Sequence, residues 1–231
     1  MSDSGVNART NCKFDDFADG YEGTLDRSIH ISGESSEYFA KYKAAYVARH
    51  WRDVRGKVLD FGCGVGLLSR FLREQLPYSE IDGYDPSPES IRNVSPALLA
   101  ACMFTSDLEE IGNRYEIIII ANVMHHIPPV QRQGIILELR NRLADRGRIV
   151  AFEHNPLNLL TRWAVAHCDF DDDAVLLGPK ELANYFLGAG LEPRQDYIVF
   201  FPRILASLRK YEAMLRWCPL GAQYVTIGES Q

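Results

Sequence analysis

The stretch Val58-Leu59-Asp60-Phe61-Gly62-Cys63-Gly64-Val65-Gly66 decides the fold of this chain. An apolar run leads into a turn with glycine at every second position, and apolar side chains at helical spacing follow from Leu67 to Leu76. Glycine permits left-handed backbone and lets a ligand come close to the main chain. The N-terminus of the following helix offers free N–H groups. The stretch therefore predicts a strand, a turn and a helix that bind a nucleotide-like ligand at the carboxyl end of a parallel strand.

Three acidic residues at the ends of predicted strands indicate the kind of nucleotide. A dinucleotide motif G-x-G-x-x-G/A that begins at Gly62 needs a small residue at position 67, where this chain has Leu67. Asp60, directly before the turn, suits an ammonium group and opposes a pyrophosphate. Asp85 ends the next predicted strand, where a carboxylate accepts hydrogen bonds from two ribose hydroxyls, and Asp107 follows the third strand. The acids fit a nucleoside that carries an amino acid better than a dinucleotide.

The rest of the chain alternates between predicted strands and helices, which is typical of a parallel sheet covered by helices on both faces. The stretch from Glu116 to Ala121 is so aliphatic that it predicts a central strand with both faces buried. The other predicted strands are residues 57–61, 81–84, 101–104, 147–152, 197–201 and 224–227. Predicted helices include residues 37–50, 131–143, 157–166, 180–188 and 204–215.

Composition and charge exclude several classes of protein. The chain has 231 residues, of which 46% are hydrophobic and 24% charged, as in a folded domain rather than a disordered chain. A net charge of −6 lacks the positive field of a nucleic-acid binder. No apolar run approaches the ~20 residues that span a bilayer, and the polar start of the chain does not resemble a signal peptide. The cysteines form no C-x-x-C pair, so we expect reduced thiols in a cytoplasmic protein. They are Cys12, Cys63, Cys102, Cys168 and Cys218.

Four motifs in order resemble those of the class I S-adenosylmethionine-dependent methyltransferases, across about residues 54–155. They are Val58 to Gly66, Tyr84-Asp85-Pro86-Ser87, Thr105-Ser106-Asp107-Leu108 and Asn122-Val123-Met124-His125-His126-Ile127-Pro128-Pro129. The segment from Phe14 to Tyr21 is similar to the entry segment of small-molecule members, and the C-terminal third resembles a bacterial subgroup. The resemblance implies an α/β fold. Its doubly wound, Rossmann-like, mostly parallel seven-stranded sheet has helices on both faces, a C-terminal antiparallel strand and an N-terminal helical lid.

The expected organisation is a flexible tail at residues 1–13 and a single methyltransferase domain at 14–231. Within that domain the divisions are a helical lid at 14–50, a cofactor-binding core at 51–154, a cap insertion at 155–178, and the last part of the sheet and substrate cap at 179–231. Aromatic candidates for the wall of the substrate cap are Tyr21, Tyr38, Trp163 and Phe170. Core packing is the alternative for each of them.

The resemblance implies S-adenosyl-L-methionine as cofactor, S-adenosyl-L-homocysteine as product, and a contact for each motif position. These are Asp60 for the amino group, Gly62, Cys63, Gly64 and Gly66 for the methionine and ribose, Asn122 and Val123 beneath the methionine chain, Asp85 for the ribose hydroxyls, Pro86 and Ser87 beside the adenine, and Asp107 and Leu108 at its exocyclic amine. Other interpretations stay open. Asp60 can instead cap backbone N–H groups, Asp107 can be the N-cap of a short helix, and Cys63 can be a small residue that fits.

Three histidines are the candidates for a general base, because a histidine pKa lies near neutrality. His125 and His126 follow the fourth predicted strand and His154 follows the fifth. Alternatively, the first two shape their loop. His154 and the preceding Glu153 either work together or pair with the cap insertion. No metal site is predicted, because H-x-x-x-H spacing is absent and the acids at 169–173 indicate a solvated loop.

The expected function is methyl transfer to a small-molecule or glycan-like acceptor, with oxygen slightly favoured over carbon or nitrogen. The alternatives are an NAD(P)-dependent oxidoreductase and a non-catalytic S-adenosylmethionine-binding regulatory module. The expected partner is the acceptor, without nucleic acid or a membrane span. The sequence leaves the oligomeric state open.

Overall fold

The central element of the fold is strand β4 (Tyr115–Ala121), whose consecutive isoleucines are buried on both faces of the sheet. A computed structural model describes residues 34–168 and 174–230. Ile117 and Ile119 join one core cluster, and Ile118 and Ile120 join the other. This alternation follows from the two-residue period of a strand, and it explains why the run carries no polar face.

The sheet has seven strands in the order β3-β2-β1-β4-β5-β7-β6. The remaining strands are β1 (Lys57–Phe61), β2 (Glu80–Tyr84), β3 (Met103–Thr105), β5 (Leu143–His154), β6 (Leu191–Ile198) and β7 (Gln223–Ser230). The first five strands pair in parallel, and β7 runs antiparallel to both of its neighbours. The predicted fold class, a doubly wound and mostly parallel sheet with a C-terminal antiparallel strand, is confirmed.

Helices cover both faces of the sheet. They are α1 (Ser36–Trp51), α2 (Leu67–Gln75), α3 (Pro88–Arg92), α4 (Pro96–Leu99), α5 (Pro129–Asn141), α6 (Leu159–Val165) and α7 (Pro179–Gly188). The core on one face includes side chains of α1 and α2, and the core on the other includes those of α5 and α7. None of the described helices combines the length and apolar character that a membrane span requires.

Helix α1 is the described portion of the predicted N-terminal lid, and it belongs to the core. Its Ala44 and Val47 are fully buried against the sheet. The side chain of Ser35 caps the helix by accepting from the N–H of Tyr38. The tail at 1–13, the remainder of the lid with Tyr21, Phe170 and the acidic run 169–173 lie outside the described residues.

Two predicted elements near the C-terminus differ in the structure. The strand predicted at 197–201 is β6, which ends at Ile198 because Val199 adopts a φ of 58° that extended backbone does not permit. The helix predicted at 204–215 is a 3₁₀ segment, Arg203–Met214, with non-helical backbone at Leu205. Its apolar side chains, such as the 90% exposed Ile204, do not pack on the sheet, so tertiary burial does not stabilise an α-helix there.

Candidate functional site

The glycine turn after β1 is held by strand β2. The N–H groups of Gly62 and Cys63 donate to the carbonyl of Tyr84, over 2.7 and 2.9 Å. Gly62 has a φ of 78°, and a Cβ there would overlap a methyl group of Val123. Glycine is therefore required at Gly62 by both backbone conformation and space.

Asp85 lies at the end of β2 and fixes the same turn. One carboxylate oxygen accepts from the N–H of Gly64 at 2.8 Å, and the other accepts from the N–H of Ser87 at 3.0 Å. A carboxylate accepts about four hydrogen bonds. An ionised Asp85 can therefore hold the turn and bind ligand hydroxyls at the same time.

Asp60 is a buried carboxylate at the end of β1. It is 1% exposed and accepts a hydrogen bond of 2.6 Å from the hydroxyl of Ser69 in α2. Burial raises the pKa of Asp60 to about 6, against the opposing effects of the Ser69 hydrogen bonds and the nearby Lys43. Its charge state therefore changes near neutral pH.

Lys43 brings a positive charge to the same place from helix α1. The side chain is buried, and its Nζ lies 5.9 Å from the centre of the Phe152 ring. Burial lowers the pKa of Lys43 to about 8, although the carboxylates of Glu153 and Asp60 act to raise it. Lys43 is not among the site residues predicted from the sequence. A signal was present, because Lys43 lies four residues after Phe39 and four before Val47, on the apolar face of the helix.

A buried glutamate organises the histidines at the ends of β4 and β5. Glu153 accepts from the N–H groups of Val123 and Met124, at 3.1 and 2.8 Å, and lies 2.6 Å from Nδ1 of His125. Burial acts to raise the pKa of Glu153, but His125 and His154 and these hydrogen bonds outweigh it, so the pKa is lowered. An ionised carboxylate can only accept, so His125 donates from Nδ1, and Nε2 is the nitrogen that can take a proton.

The three predicted histidines are close neighbours. The ring centre of His125 lies 4.1 Å from that of His126 and 5.1 Å from that of His154. From the sequence, Glu153 was expected either to work with the adjacent His154 or to pair with the cap insertion. The structure pairs Glu153 with His125. Glu153 and His154 are adjacent in β5, and successive residues of a strand point to opposite faces.

A cavity of about 530 Å³ lies at the carboxyl ends of the parallel strands, and most of the predicted site residues line it. Those in its wall are Asp60, Gly62, Cys63, Gly64, Asp85, Pro86, Asn122, Val123, His125, His126 and His154. Asn122 Oδ1 and Gln223 Oε1, in two of the lining residues, are buried without a hydrogen-bond partner among the described residues. Buried acceptors of this kind favour a ligand that donates hydrogen bonds.

Four predicted cofactor residues lie outside the wall of this cavity. Gly66 is the N-cap of α2, Ser87 is the N-cap of α3, and Leu108 packs beside a core cluster. Asp107 accepts from the N–H of Glu109 at 2.9 Å and is the N-cap of the 3₁₀ turn Leu108–Glu110. The predicted contact of Asp107 with adenine therefore stays a prediction, and helix capping is the contact that the structure contains.

A second part of the cavity lining is mostly apolar. Its lining side chains come from α6 and from the segment after β6, and include Leu160, Ala164, Val165, Val199, Phe200, Phe201 and Pro202. Tyr38 and Trp163, two of the aromatic candidates, are not part of the wall. The described residues contain no cluster of three or more His, Cys, Asp or Glu side chains placed to hold a metal ion.

Comparisons with known proteins give the family and the fold of this chain. A family model described as a methyltransferase domain matches residues 35–196. The fold is similar to that of an S-adenosylmethionine-dependent methyltransferase from Archaeoglobus fulgidus, with 14% identity, a TM-score of 0.66, and coverage of 85% of this chain and 95% of that chain. No curated protein matches this chain.

Two further solved structures share the fold. Magnesium protoporphyrin IX methyltransferase from Synechocystis, with bound S-adenosylhomocysteine, has 18% identity and a TM-score of 0.61, and the match covers 89% of this chain and 86% of that chain. An O-methyltransferase family protein from Burkholderia thailandensis has 12% identity and a TM-score of 0.67. That match covers 93% of this chain and 59% of that chain.

Proposed function

This chain belongs to the class I methyltransferases that use S-adenosylmethionine, and we propose that it methylates a small, largely apolar acceptor on oxygen. The members of this family are methyl-transfer enzymes, so the alternative of an NAD(P)-dependent oxidoreductase is wrong. The observation that carries the proposal is the buried Glu153–His125 pair, of which His125 lines the cavity. Methyl transfer to oxygen needs a group that removes the hydroxyl proton.

The residues of the cavity fit the cofactor. Asp60 offers a negative charge to its ammonium group, Asp85 offers carboxylate oxygens to its ribose hydroxyls, and the buried Oδ1 of Asn122 is an acceptor for a further donor. The glycine turn provides backbone without side chains beside them. When bound, S-adenosylmethionine supplies an activated methyl group on a positively charged sulfur.

The chain's own residues then have two tasks. The apolar wall formed by α6 and residues 199–202 binds the body of the acceptor and excludes water. His125, oriented by Glu153, takes the proton of the acceptor hydroxyl at Nε2, and the resulting imidazolium is stabilised by the carboxylate. The apolar lining favours an acceptor with an apolar body over a glycan.

Mass spectrometry tests the transfer directly. The purified protein is incubated with a cell extract and S-adenosylmethionine that carries a deuterated methyl group. We expect a small apolar compound to gain the mass of the labelled methyl group, and fragmentation to locate the label on oxygen. A label on nitrogen or carbon, or on a glycan, contradicts the proposed acceptor. If calorimetry shows that the wild-type protein does not bind S-adenosylhomocysteine, the proposed cofactor site is wrong.

The base is tested with two histidine variants. His125→Asn keeps a donor for Glu153 in place of Nδ1 but cannot take a proton, so we expect turnover of the acceptor to fall by ~10²- to 10⁴-fold. Affinity for S-adenosylhomocysteine and thermal stability are expected to be unchanged. His154→Gln is the comparison, with a loss of less than about tenfold. If His154→Gln is the inactive variant and His125→Asn is active, the base is His154 instead.

The raised pKa of Asp60 predicts a pH dependence of cofactor affinity. Its carboxyl becomes protonated as the pH falls through about 6 and loses the charge that attracts the ammonium group. We expect the affinity for S-adenosylhomocysteine to fall by up to ~10-fold per pH unit below that value, and calorimetry between pH 5 and pH 8 measures it. Asp60→Asn should bind S-adenosylhomocysteine weakly, with an affinity that does not change with pH over this range. A wild-type profile that is equally flat contradicts the role of Asp60.

Protonation of Asp60 does not promote unfolding at acid pH. The pKa of Asp60 is raised in the folded protein from its ordinary value of 3.8. The stability that its protonation contributes is present below the lower value and is lost as the pH rises through about 6. Acidification through this range therefore favours the folded state at Asp60 while it weakens cofactor binding.

A further inference from the structure

The cavity has an unequal distribution of charge. Among its described lining residues, Asp60 and Asp85 are the carboxylates, and Lys43 is the sole lysine or arginine. Asp60 comes from the end of β1, and Lys43 comes from helix α1. Two different elements thus bring opposite charges to the lining of one cavity.

Lys43 is buried and has no direct partner among the residues that the structure describes. It is 6% exposed, and within the described part of the chain it forms no hydrogen bond or ion pair. Its Nζ lies 5.9 Å from the centre of the Phe152 ring, and the charges of Glu153 and Asp60 act on it without a direct ion pair. A buried cation without a partner is costly to the fold. Its position is explained if an anion of the ligand completes the site.

We propose that Lys43 binds the carboxylate of the methionine end of S-adenosylmethionine, while Asp60 holds the ammonium group of the same amino acid. This inference rests on the proposed cofactor site. The amino-acid end of the ligand carries one positive and one negative charge, and Asp60 and Lys43 match them one to one. The acids at Asp60 and Asp85 repel a carboxylate, so the cation has to come from elsewhere in the wall.

The assignment gives helix α1 a function in addition to packing. Ala44 and Val47 anchor the helix in the core, and Lys43 points from the same helix to the cavity. Binding of the carboxylate therefore fastens α1 to the glycine turn through the ligand. Residues of α1 that face solvent are not part of this contact. Lys41, for example, pairs with Glu37 at 2.9 Å and is 58% exposed.

Calorimetry with two ligands tests the contact. The ligands are S-adenosylhomocysteine and its analogue that lacks only the carboxylate. We expect Lys43→Met to weaken S-adenosylhomocysteine by about 10- to 100-fold and to leave the analogue within about twofold of its wild-type affinity. Lys43→Arg should retain part of the affinity for S-adenosylhomocysteine. Lys41→Met is the matched control on the same helix, with both affinities unchanged.

The outcomes separate this inference from the proposed function. If wild-type protein does not bind S-adenosylhomocysteine, the cofactor site is wrong. If wild-type protein binds it and Lys43→Met weakens both ligands equally, or neither, the contact with the carboxylate is wrong. Thermal unfolding is the check on folding, since removal of a buried unpaired cation is expected to leave the melting temperature equal or higher. If Lys43→Met has a lower melting temperature and binds both ligands more weakly, Lys43 stabilises the fold and does not bind the carboxylate.

Discussion

Glu153→Gln is expected to lower turnover by ~10³- to 10⁴-fold while the protein stays folded. The glutamine carbonyl can replace the oxygen that accepts from Val123 and Met124. Its amide group then faces Nδ1 of His125 as a donor. His125 must accept at Nδ1 and carry its proton on Nε2, so it presents no lone pair to the acceptor hydroxyl.

Three measurements separate this effect from a loss of structure. Turnover of the labelled acceptor should fall, while affinity for S-adenosylhomocysteine and the melting temperature stay close to those of the wild type. Glu181→Gln is the matched control, because the Glu181 carboxylate also pairs with a buried basic side chain, Arg132 at 3.0 Å, and is not part of the cavity wall. Turnover above a tenth of the wild-type value in Glu153→Gln would exclude the glutamate as the group that orients the base.

Glu153→Ala tests the contribution of the same residue to the stability of the fold. Both backbone N–H groups and the His125 ring lose their acceptor inside the protein. Removal of one partner from a buried charged network costs about 3–5 kcal/mol. The difference between the alanine and glutamine variants therefore measures how much of the loop geometry depends on Glu153 and how much of the chemistry does.

The fold was predictable because its signals are local and repeated. The aliphatic run of β4, the glycine turn and the alternation of strands and helices each follow from short periodic patterns. The errors occurred where a residue such as Val199 adopts a left-handed conformation, or where an apolar stripe at residues 204–215 has no surface to pack on. Neither feature is encoded in a short pattern.

The candidate site was predictable to the extent that it lies on the strand ends. Asp60, Asp85 and the histidines follow strands whose carboxyl ends share one edge of the sheet. The pairing of Glu153 with His125 depends on how β4 and β5 are aligned, and Lys43 depends on how α1 packs across them. Both are tertiary relations between segments far apart in the sequence, so a single sequence without structure does not specify them.

Gly62→Ala is expected to weaken S-adenosylhomocysteine by at least ~30-fold, or about 2 kcal/mol. Gly62 has a φ of 78°, which costs an L-residue roughly 1–2 kcal/mol. The added Cβ also overlaps a methyl group of Val123, whose β-branched side chain has little rotational freedom to move away. Because Gly62 and Val123 both line the cavity, either adjustment changes the surface that meets the cofactor.

Gly190→Ala separates the two costs. Gly190 has a similar φ of 71°, and a Cβ there meets nothing within 4 Å. We expect this control to lose roughly 1–2 kcal/mol of stability and no cofactor affinity, whereas Gly62→Ala loses both. Adding Val123→Ala to Gly62→Ala removes the overlap and should restore part of the binding. Equal affinities of Gly62→Ala and the wild type would show that the turn at Gly62 does not contact the cofactor. If Val123→Ala does not restore the affinity that Gly62→Ala loses, backbone strain alone causes the loss.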